Sequence, residues 1–311
     1  MSPQRCGGAH VISAGLLRVR AKLGAGSLEA IEVDLQRPAV TKLFHGRSPE
    51  VVVKLVPSLY TICAQAQTVA ACTALALAAD EPLPAVDDAS LWIETLHENL
   101  WRLLLDWPPA LGLPPAQAEF ITWRTTRLGG NCAEQTRRLL DDTLYELAEK
   151  GLEKLVDRDS QVDAARAAPG LAPEDWLGAW RDTGEPPMVR LAKPSLRAAY
   201  QARIDDVERS VAALLTGARF PLASAGGGGW GVAQTHTARG ILTHAVHLDA
   251  GKVVSYRVRA PTDAFFSDAA TLSSLLETRR FGSLEEARQV LVQAILALDP
   301  CVPYELELSD A

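Results

Sequence analysis

The spacing of apolar side chains divides the chain into helical and extended stretches. Apolar residues three or four positions apart are typical of helices that bury one face. This spacing predicts helices over residues 50–56, 63–79, 89–107, 116–127, 133–156, 195–215 and 290–298. Alternating apolar and polar residues, typical of strands with one buried face, occur over 10–23, 30–35, 241–248 and 253–258. The pattern therefore predicts a helix-rich α+β fold.

Residues with special backbone preferences mark where several of these elements begin and end. Ser195 is expected to cap the helix that follows it, and Ser283 with Glu286 has the spacing of a capping box ahead of the last helix. Pro57 is expected to end the 50–56 helix. The sequence D-A-G-K at 249–252 predicts the turn of a β-hairpin.

No internal repeat divides the chain, and we expect one domain over residues 1–311. The segment 157–188 is rich in Pro, Gly, Asp and Ala, which predicts a surface excursion or a mobile link anchored by Trp176 and Trp180. Residues 226–311 form a C-terminal region that carries the predicted hairpin and the last cysteine. This region opens with four consecutive glycines at 226–229, which fit either close backbone approach to a ligand or a flexible loop.

Composition and charge narrow the classes of function. The 311 residues are 48% hydrophobic and 22% charged, as is ordinary for a globular protein. The formal net charge of −7 argues against nucleic acid or an anionic membrane as a partner, because both favour a basic face. The longest apolar run, 62–79, is alanine-rich and contains polar residues, so we expect a buried helix rather than a membrane span. We also expect a cytoplasmic protein, since no secretory leader pattern is present.

The five cysteines are the strongest candidates for chemistry. None forms a Cys-x-x-Cys pair, so we expect free thiols in a reducing compartment. Cys63 opens the alanine-rich helix, where the positive end of the helix dipole is expected to lower the thiol pKa. Cys301 lies between Pro300 and Pro303 on a stiff backbone. These two thiols can together hold one soft transition metal, and the alternative is that both are buried structural cysteines. The remaining three, Cys6, Cys72 and Cys132, are expected to be structural or incidental.

Five segments form an ordered set of short motifs. They read K-L-F-H-G-R-S-P (42–49), T-I-C-A-Q-A (61–66), G-W-G-V-A-Q-T-H-T-A-R-G (229–240), L-T-H-A-V-H-L-D-A-G-K-V-V-S-Y-R-V-R-A-P-T (242–262) and D-P-C-V-P-Y (299–304). In order and approximate spacing, this set resembles motifs of nickel–iron hydrogenase large subunits. Those motifs are K-I-L-E-G-R-x-P, R-I-C-G-x-C, E-A-P-R-G, L-x-H-W…D-G-K-I…P-T/S and D-P-C-x-x-C. The resemblance covers residues 30–80 and 226–304, and 81–225 has no match.

The differences from these enzymes concern the metal ligands. In the large subunits four cysteines hold the metals, and the second cysteine of each pair bridges nickel and iron. Ala66 and Tyr304 stand at those bridging positions. Thr41 stands where the enzymes have a proton-relay glutamate, and Glu307 where they have the histidine at which the precursor is cut. Two thiols cannot build a bridged bimetallic site, so the resemblance implies no hydrogen activation and no nickel.

Three residues that surround the iron in the enzymes are retained. Arg239 and Thr262 match the arginine and the hydroxyl residue that hydrogen-bond the cyanide ligands, and Asp299 matches a carboxylate above the metals. A guanidinium and a hydroxyl are suitable donors to the anionic nitrogen of cyanide. The alternatives are a core ion pair for Arg239 and a turn hydroxyl for Thr262. His244 also matches a family histidine, and we expect it to be an interior side chain rather than a ligand.

This pattern resembles the HupK/HoxV-type accessory proteins of hydrogenase maturation. The resemblance implies a non-catalytic scaffold that holds an iron unit with cyanide and carbon monoxide ligands. Cys63 and Cys301 would have to bind the iron directly, because by position they correspond to terminal nickel ligands. The implied partners are the hydrogenase large-subunit precursor and the upstream proteins that assemble the iron unit. Two alternatives are a metal-free chaperone that protects the precursor or its cofactor from oxygen, and a degenerate hydrogenase large subunit.

Overall fold

The structure, a computed structural model, describes residues 15–155, 171–184, 187 and 195–310. The strands are β1 Leu16–Gly24, β2 Ser27–Gln36, β3 Leu222–Gly227, β4 Trp230–Thr237, β5 Gly240–Asp249, β6 Lys252–Arg259 and β7 Tyr304–Asp310. The α-helices are α1 Pro49–Leu59, α2 Ala64–Ala78, α3 Asp88–Trp101, α4 Trp107–Ala110, α5 Gln117–Thr126, α6 Cys132–Leu139, α7 Tyr145–Lys154, α8 Pro173–Thr183, α9 Leu196–Thr216, α10 Pro261–Phe265, α11 Ala270–Ser274 and α12 Leu284–Leu298. A π-helical turn at Arg102–Asp106 joins α3 to α4, another at Leu140–Leu144 joins α6 to α7, and Val40–Phe44 is a 3₁₀ turn. The expected helix-rich α+β class is confirmed.

Two sheets hold the strands. In the smaller sheet, of order β2-β1-β7, β1 pairs antiparallel with β2 and parallel with β7. The larger sheet is an antiparallel meander, β3-β4-β5-β6. In the smaller sheet Leu17 lies opposite Tyr304, so the strand that follows Cys301 is fixed against the first strand of the described chain. The strands β3, β4 and β7 were not among those predicted from the sequence.

Helix α2 packs against the larger sheet at very short range. A Cβ atom on Gly231 would lie 1.9 Å from the carbonyl oxygen of Ala74, and one on Gly226 would lie 2.8 Å from Cβ of Leu77. Alanines on the helix and glycines on the strands therefore let the two backbones approach. The glycine run 226–229 forms the end of β3 and the turn to β4. Within this run Gly226 permits the close approach to α2, and a Cβ on Gly229 would lie 2.7 Å from the carbonyl oxygen of Leu248 in β5.

Two hydrophobic cores include or adjoin the two cysteines. The first core contains buried residues of β1 and of helices α3, α9 and α12, and it includes Leu298 and Val302 on either side of Cys301. The second core lies between α2 and the larger sheet and includes Cys63. Cys63 thus belongs to the second core, and Cys301 lies at the edge of the first, in the loop between Leu298 and Val302.

Most of the predicted element boundaries are confirmed. The Ser195 hydroxyl accepts a hydrogen bond from the backbone N–H of Ala198 at 3.1 Å and caps α9. The Ser283 hydroxyl accepts from the N–H of Glu286 at 3.2 Å, while the Glu286 carboxylate accepts from Gly282 rather than from Ser283, so the capping box is displaced by one residue. The β5–β6 hairpin turns at 250–251, where both residues have positive φ.

Two predicted helix ends are wrong, and both involve proline. Pro57 lies inside α1, whose last turn closes through a hydrogen bond from Tyr60 N to Val56 O. A proline in the last turn removes one backbone donor without breaking the turns that precede it. The 89–107 helix was expected to end before Pro108 and Pro109, but these residues lie in the first turn of α4. The helix reaches them through the π-helical turn, which ends on a hydrogen bond from Trp107 N to Arg102 O.

Several predictions concern residues that the structure describes only in part. Cys6 and positions 10–14 of the first predicted strand lie outside the described residues, as does most of the 157–188 segment. The described part of that segment includes α8, where Trp176 and Trp180 are buried as expected. None of the described helices has the length and apolar character needed to cross a membrane.

Candidate metal site at two cysteines

Cys63 lies at the start of α2 in a left-handed backbone conformation, with φ 55° and ψ 40°. Only 7% of the residue is exposed. The guanidinium of Arg239 donates a hydrogen bond from Nη1 to the Cys63 sulfur at 3.1 Å. The thiol is therefore buried and has a cation as its hydrogen-bond donor.

The expectation that the helix dipole lowers the Cys63 pKa is wrong. The free backbone N–H groups of Gln65 and Ala66 at the start of α2 donate to the carboxylate of Glu94, at 2.7 and 3.0 Å. This carboxylate, rather than the thiol, takes the positive end of the helix dipole. Burial then raises the pKa of the Cys63 thiol well above its ordinary value, although Arg239 opposes the shift.

Cys301 lies in the short loop between α12 and β7 and is half-buried. The Thr262 hydroxyl donates to its sulfur at 3.2 Å and accepts from its backbone N–H at 3.1 Å. A second arginine, Arg37, which directly follows β2, donates from Nη2 to the same sulfur at 2.8 Å. Each of the two thiols thus has one guanidinium as a donor.

Asp299 is the centre of a buried cluster of charges. It ends α12 in a left-handed conformation and is 1% exposed. Its carboxylate accepts from Arg102 Nε at 2.7 Å and from Arg203 Nη2 at 2.8 Å, and it lies 3.3 Å from Arg239 Nε. Burial alone would raise the pKa of Asp299, but the three guanidiniums together hold it well below its ordinary value. Asp299 is therefore ionised and fixes the arginines around it.

Arg239 connects this charge cluster to the Cys63 thiol. It lies in the tight turn between β4 and β5, where its backbone N–H donates to the Thr237 hydroxyl at 3.1 Å. Its side chain is 3% exposed and also donates from Nη2 to Glu98 at 2.8 Å. Burial alone would lower the pKa of Arg239, but the negative groups around it, Asp299 foremost, raise it. Arg239 therefore contacts the Cys63 thiol and is held by two carboxylates.

The structure brings together all five residues that the sequence analysis selected: Cys63, Arg239, Thr262, Asp299 and Cys301. Among the described residues, no group of three or more His, Cys, Asp or Glu side chains is arranged to hold a metal ion. Ligation by the protein at this site would therefore come from the two sulfurs alone. Soft thiolates suit iron, and the neighbouring guanidiniums and hydroxyl suit anionic ligands on it. The donor set fits an iron unit with cyanide ligands.

Sequence reasoning missed the charged residues Arg37, Glu94, Glu98, Arg102 and Arg203. Three of them carried a signal: Glu94, Glu98 and Arg102 recur every four residues and so occupy one side of α3 and its π-helical turn. Arg203 was detectable as the one charge among the apolar positions that α9 buries. For Arg37 the local sequence gave no signal.

The other candidate side chains lie in structural surroundings. His244 is fully buried, with its ring nitrogens 2.8 Å from the Tyr256 hydroxyl and 2.7 Å from the Gln67 amide oxygen, as expected for an interior histidine. Cys132 is buried and Cys72 half-buried, and both are free thiols.

Relatives align with nearly the whole chain. The hydrogenase expression/formation protein HupK of Azotobacter vinelandii is 29% identical, over 96% of this chain and 100% of that protein. The hydrogenase expression/formation protein HupV of Azotobacter chroococcum mcd 1 is 31% identical, over 96% of this chain and 100% of that protein. This chain belongs to the HupK/HupV family of hydrogenase expression/formation proteins. No family model matches the sequence.

The fold of this HupK/HupV-family member is that of nickel–iron hydrogenase large subunits. The reduced Ni-Fe-Se hydrogenase of D. vulgaris Hildenborough superposes with a TM-score of 0.57 and 12% identity, over 89% of this chain and 94% of that chain. An NAD+-reducing NiFe hydrogenase in the H2-reduced state superposes with a TM-score of 0.54 and 15% identity, over 89% and 93% of the two chains. At these identities the likeness concerns the fold alone. The expected resemblance is confirmed for both family and fold.

Proposed function

We propose that this protein is a non-catalytic scaffold of nickel–iron hydrogenase maturation. It holds an iron unit with cyanide and carbon monoxide ligands through Cys63 and Cys301 and passes it to the hydrogenase large-subunit precursor. The observation that carries this proposal is the arrangement around Arg239, whose guanidinium donates to the Cys63 thiol and is anchored by Asp299, the residue two positions before Cys301. The proposed partners are the precursor and the upstream proteins that assemble the iron unit.

Each residue of the site has a distinct part in this proposal. Cys63 and Cys301 would release their protons to solvent and hold the iron through sulfur. Arg239 and Thr262, which donate to the two sulfurs, would be the hydrogen-bond donors to the cyanide nitrogens. Asp299 touches no thiol in the described contacts and acts by fixing Arg239. Attachment through two protein ligands suits a carrier, because the unit must be released.

The residues at the bridging positions of the enzymes support a role other than hydrogen activation. Ala66 is buried and has no ligand atom, and Tyr304 is the first residue of β7. A second metal therefore lacks the sulfur ligands that bridge nickel and iron in the enzymes. This favours the scaffold over a degenerate hydrogenase and makes nickel an unexpected component.

Infrared spectroscopy of anaerobically purified protein tests the proposal. Protein co-produced with the hydrogenase assembly machinery is expected to show cyanide and carbonyl stretching bands, which Cys63→Ala and Cys301→Ala each remove. Cys72→Ala is the matched control, because this half-buried cysteine lies in α2 and its thiol belongs to no described contact of the site. Absence of the bands from the wild-type protein, or their persistence in both alanine variants, would refute the carrier.

A metal-free chaperone is the second candidate, and one observation favours it. The arginines of the site already pair with carboxylates of the protein, and burial raises the pKa of the Cys63 thiol. The positive charges of the site are thus balanced by carboxylates of the protein before any metal binds. Copurification with the large-subunit precursor, unchanged by loss of both thiols and accompanied by no infrared bands, would favour this alternative.

A further inference from the structure

Arg37 is placed to do more than support the chain locally. It lies just beyond the end of β2, far in sequence from the cysteine loop, yet its Nη2 reaches the sulfur of Cys301 at 2.8 Å. Its Nε lies 3.1 Å from the carboxylate of Asp263. Although this Nε is buried, it makes no hydrogen bond. Arg37 therefore contacts the thiol through Nη2 and faces its ion-pair partner through Nε.

The two arginines that contact the thiols differ in exposure. The Arg239 side chain is 3% exposed, whereas that of Arg37 is 26% exposed. The cysteines that they contact show the same difference in exposure, since Cys63 is buried and Cys301 is half-buried. Solvent therefore reaches the site from the side of Arg37 and Cys301.

The two arginines also differ in how firmly carboxylates hold them. Arg239 has Glu98 at 2.8 Å, with a side chain 14% exposed, and Asp299 at 3.3 Å, which is almost completely buried. Arg37 has Asp263, whose side chain is 33% exposed and also accepts a hydrogen bond from Ala260 N at 3.0 Å. An ion pair at such exposure is weak, so Arg37 can exchange its partner at little cost.

We propose that Arg37 is an anion-binding residue at the solvent side of the thiol pair, restrained by Asp263. An anionic group that arrives at Cys301 meets this guanidinium first and receives hydrogen bonds from it. The site then offers two guanidiniums, one beside each sulfur, to the anionic ligands of a bound group. That this group is the iron unit with its cyanides rests on the proposed function. The affinity of Arg37 for anions does not depend on the proposed function.

Alkylation of Cys301 tests the anion-binding role without any iron. Iodoacetate, an anion, and iodoacetamide, a neutral reagent, both react with the thiolate, so the ratio of their rates does not depend on how much thiolate is present. Peptide mass spectrometry assigns the rate to Cys301. We expect Arg37→Gln to lower the iodoacetate-to-iodoacetamide ratio about fivefold, the factor for two unit charges about 4 Å apart in a water-like dielectric. Arg37→Lys, which keeps the charge, should retain most of the ratio.

Asp263→Asn separates this role from a purely structural one. It removes the carboxylate that competes for Arg37, so the ratio should rise above that of the wild type. Loss of a structural contact would instead move the Arg37→Gln and Asp263→Asn ratios in the same direction. Arg20→Gln is the matched control, because this arginine pairs with Glu307 on the exposed side of the smaller sheet. The ratio at Cys301 should not change in it.

The outcome distinguishes this inference from the proposed function. A ratio at Cys301 that Arg37→Gln leaves unchanged overturns the anion-binding role, whatever the infrared spectra show. A ratio that responds as described supports it, even if the wild-type protein shows no cyanide bands and the carrier is refuted. If the bands are present, Arg37→Gln should also shift the cyanide stretch and leave the carbonyl stretch in place.

Discussion

Replacement of Asp299 by asparagine tests how far the buried charge cluster stabilises the fold. The carboxylate accepts two charge-assisted hydrogen bonds, from Arg102 and Arg203, and forms an ion pair with Arg239. Hydrogen bonds to charged groups contribute about 1.5–3 kcal/mol each, and the amide retains one weaker acceptor. The variant also leaves buried guanidinium charge without a partner, which typically costs about 3–5 kcal/mol. We therefore expect Asp299→Asn to lower the free energy of unfolding by about 3–5 kcal/mol.

Urea titration followed by tryptophan fluorescence measures this loss, and Asp34→Asn is the control. Asp34 forms an exposed ion pair with Arg18 at 3.8 Å, so its replacement should cost less than about 1 kcal/mol. The pH dependence provides a second check. Because the folded-state pKa of Asp299 is depressed, its contribution is complete above the unfolded-state value of about 3.9 and is lost as pH falls below it. A loss below about 1 kcal/mol at neutral pH, or a gap between wild type and variant that does not shrink in acid, would refute this reasoning.

Two further predictions concern packing and protonation. Gly231→Ala should lower the free energy of unfolding by about 3 kcal/mol, since its Cβ would lie 1.9 Å from the Ala74 carbonyl oxygen. Gly178→Ala in α8, where no atom lies within 4 Å of the new Cβ, should raise it by up to about 1 kcal/mol, and equal effects in urea titrations would contradict the packing argument. Burial lowers the pKa of His244 to about 3, so the protein should lose stability as pH falls below the unfolded-state value of about 6.5. His244→Gln should flatten the measured stability profile between these values, and an unchanged profile would show that another group is responsible.

Local sequence signals predicted the elements whose ends depend on local chemistry. Ser195 caps α9 through its own hydroxyl, and the β5–β6 hairpin turns where glycine accepts a positive φ. Other errors lie where partners distant in the chain decide. The strand β7 alternates apolar and polar residues, but it is fixed as a strand by pairing with β1, nearly the length of the chain away. In the glycine run, Gly226 packs against α2 and Gly229 against Leu248 of β5.

The residues of the site also divide into those that the sequence identifies and those that only the fold brings into place. Cys63, Arg239 and Cys301 lie in motifs that a resemblance identifies, and the structure brings them together. Arg37 and Arg203 belong to no such motif, and their places follow from chain segments that meet only in the folded protein. Because a charge is buried at a cost unless it is paired, charges within apolar helix faces are the sequence signal for such clusters. Arg203 in α9 carried that signal.

The balance of charge in this site bears on whether a metal is part of the fold. Asp299 pairs with three arginines, Arg239 has a second carboxylate in Glu98, and Arg37 has Asp263. The protein's own carboxylates, rather than thiolates, therefore neutralise the buried cations. Structural zinc sites differ, because their ligands become ordered only when the metal binds. A pocket that keeps its shape through internal ion pairs stays folded when a metal unit leaves. The proposed carrier in hydrogenase maturation requires this property.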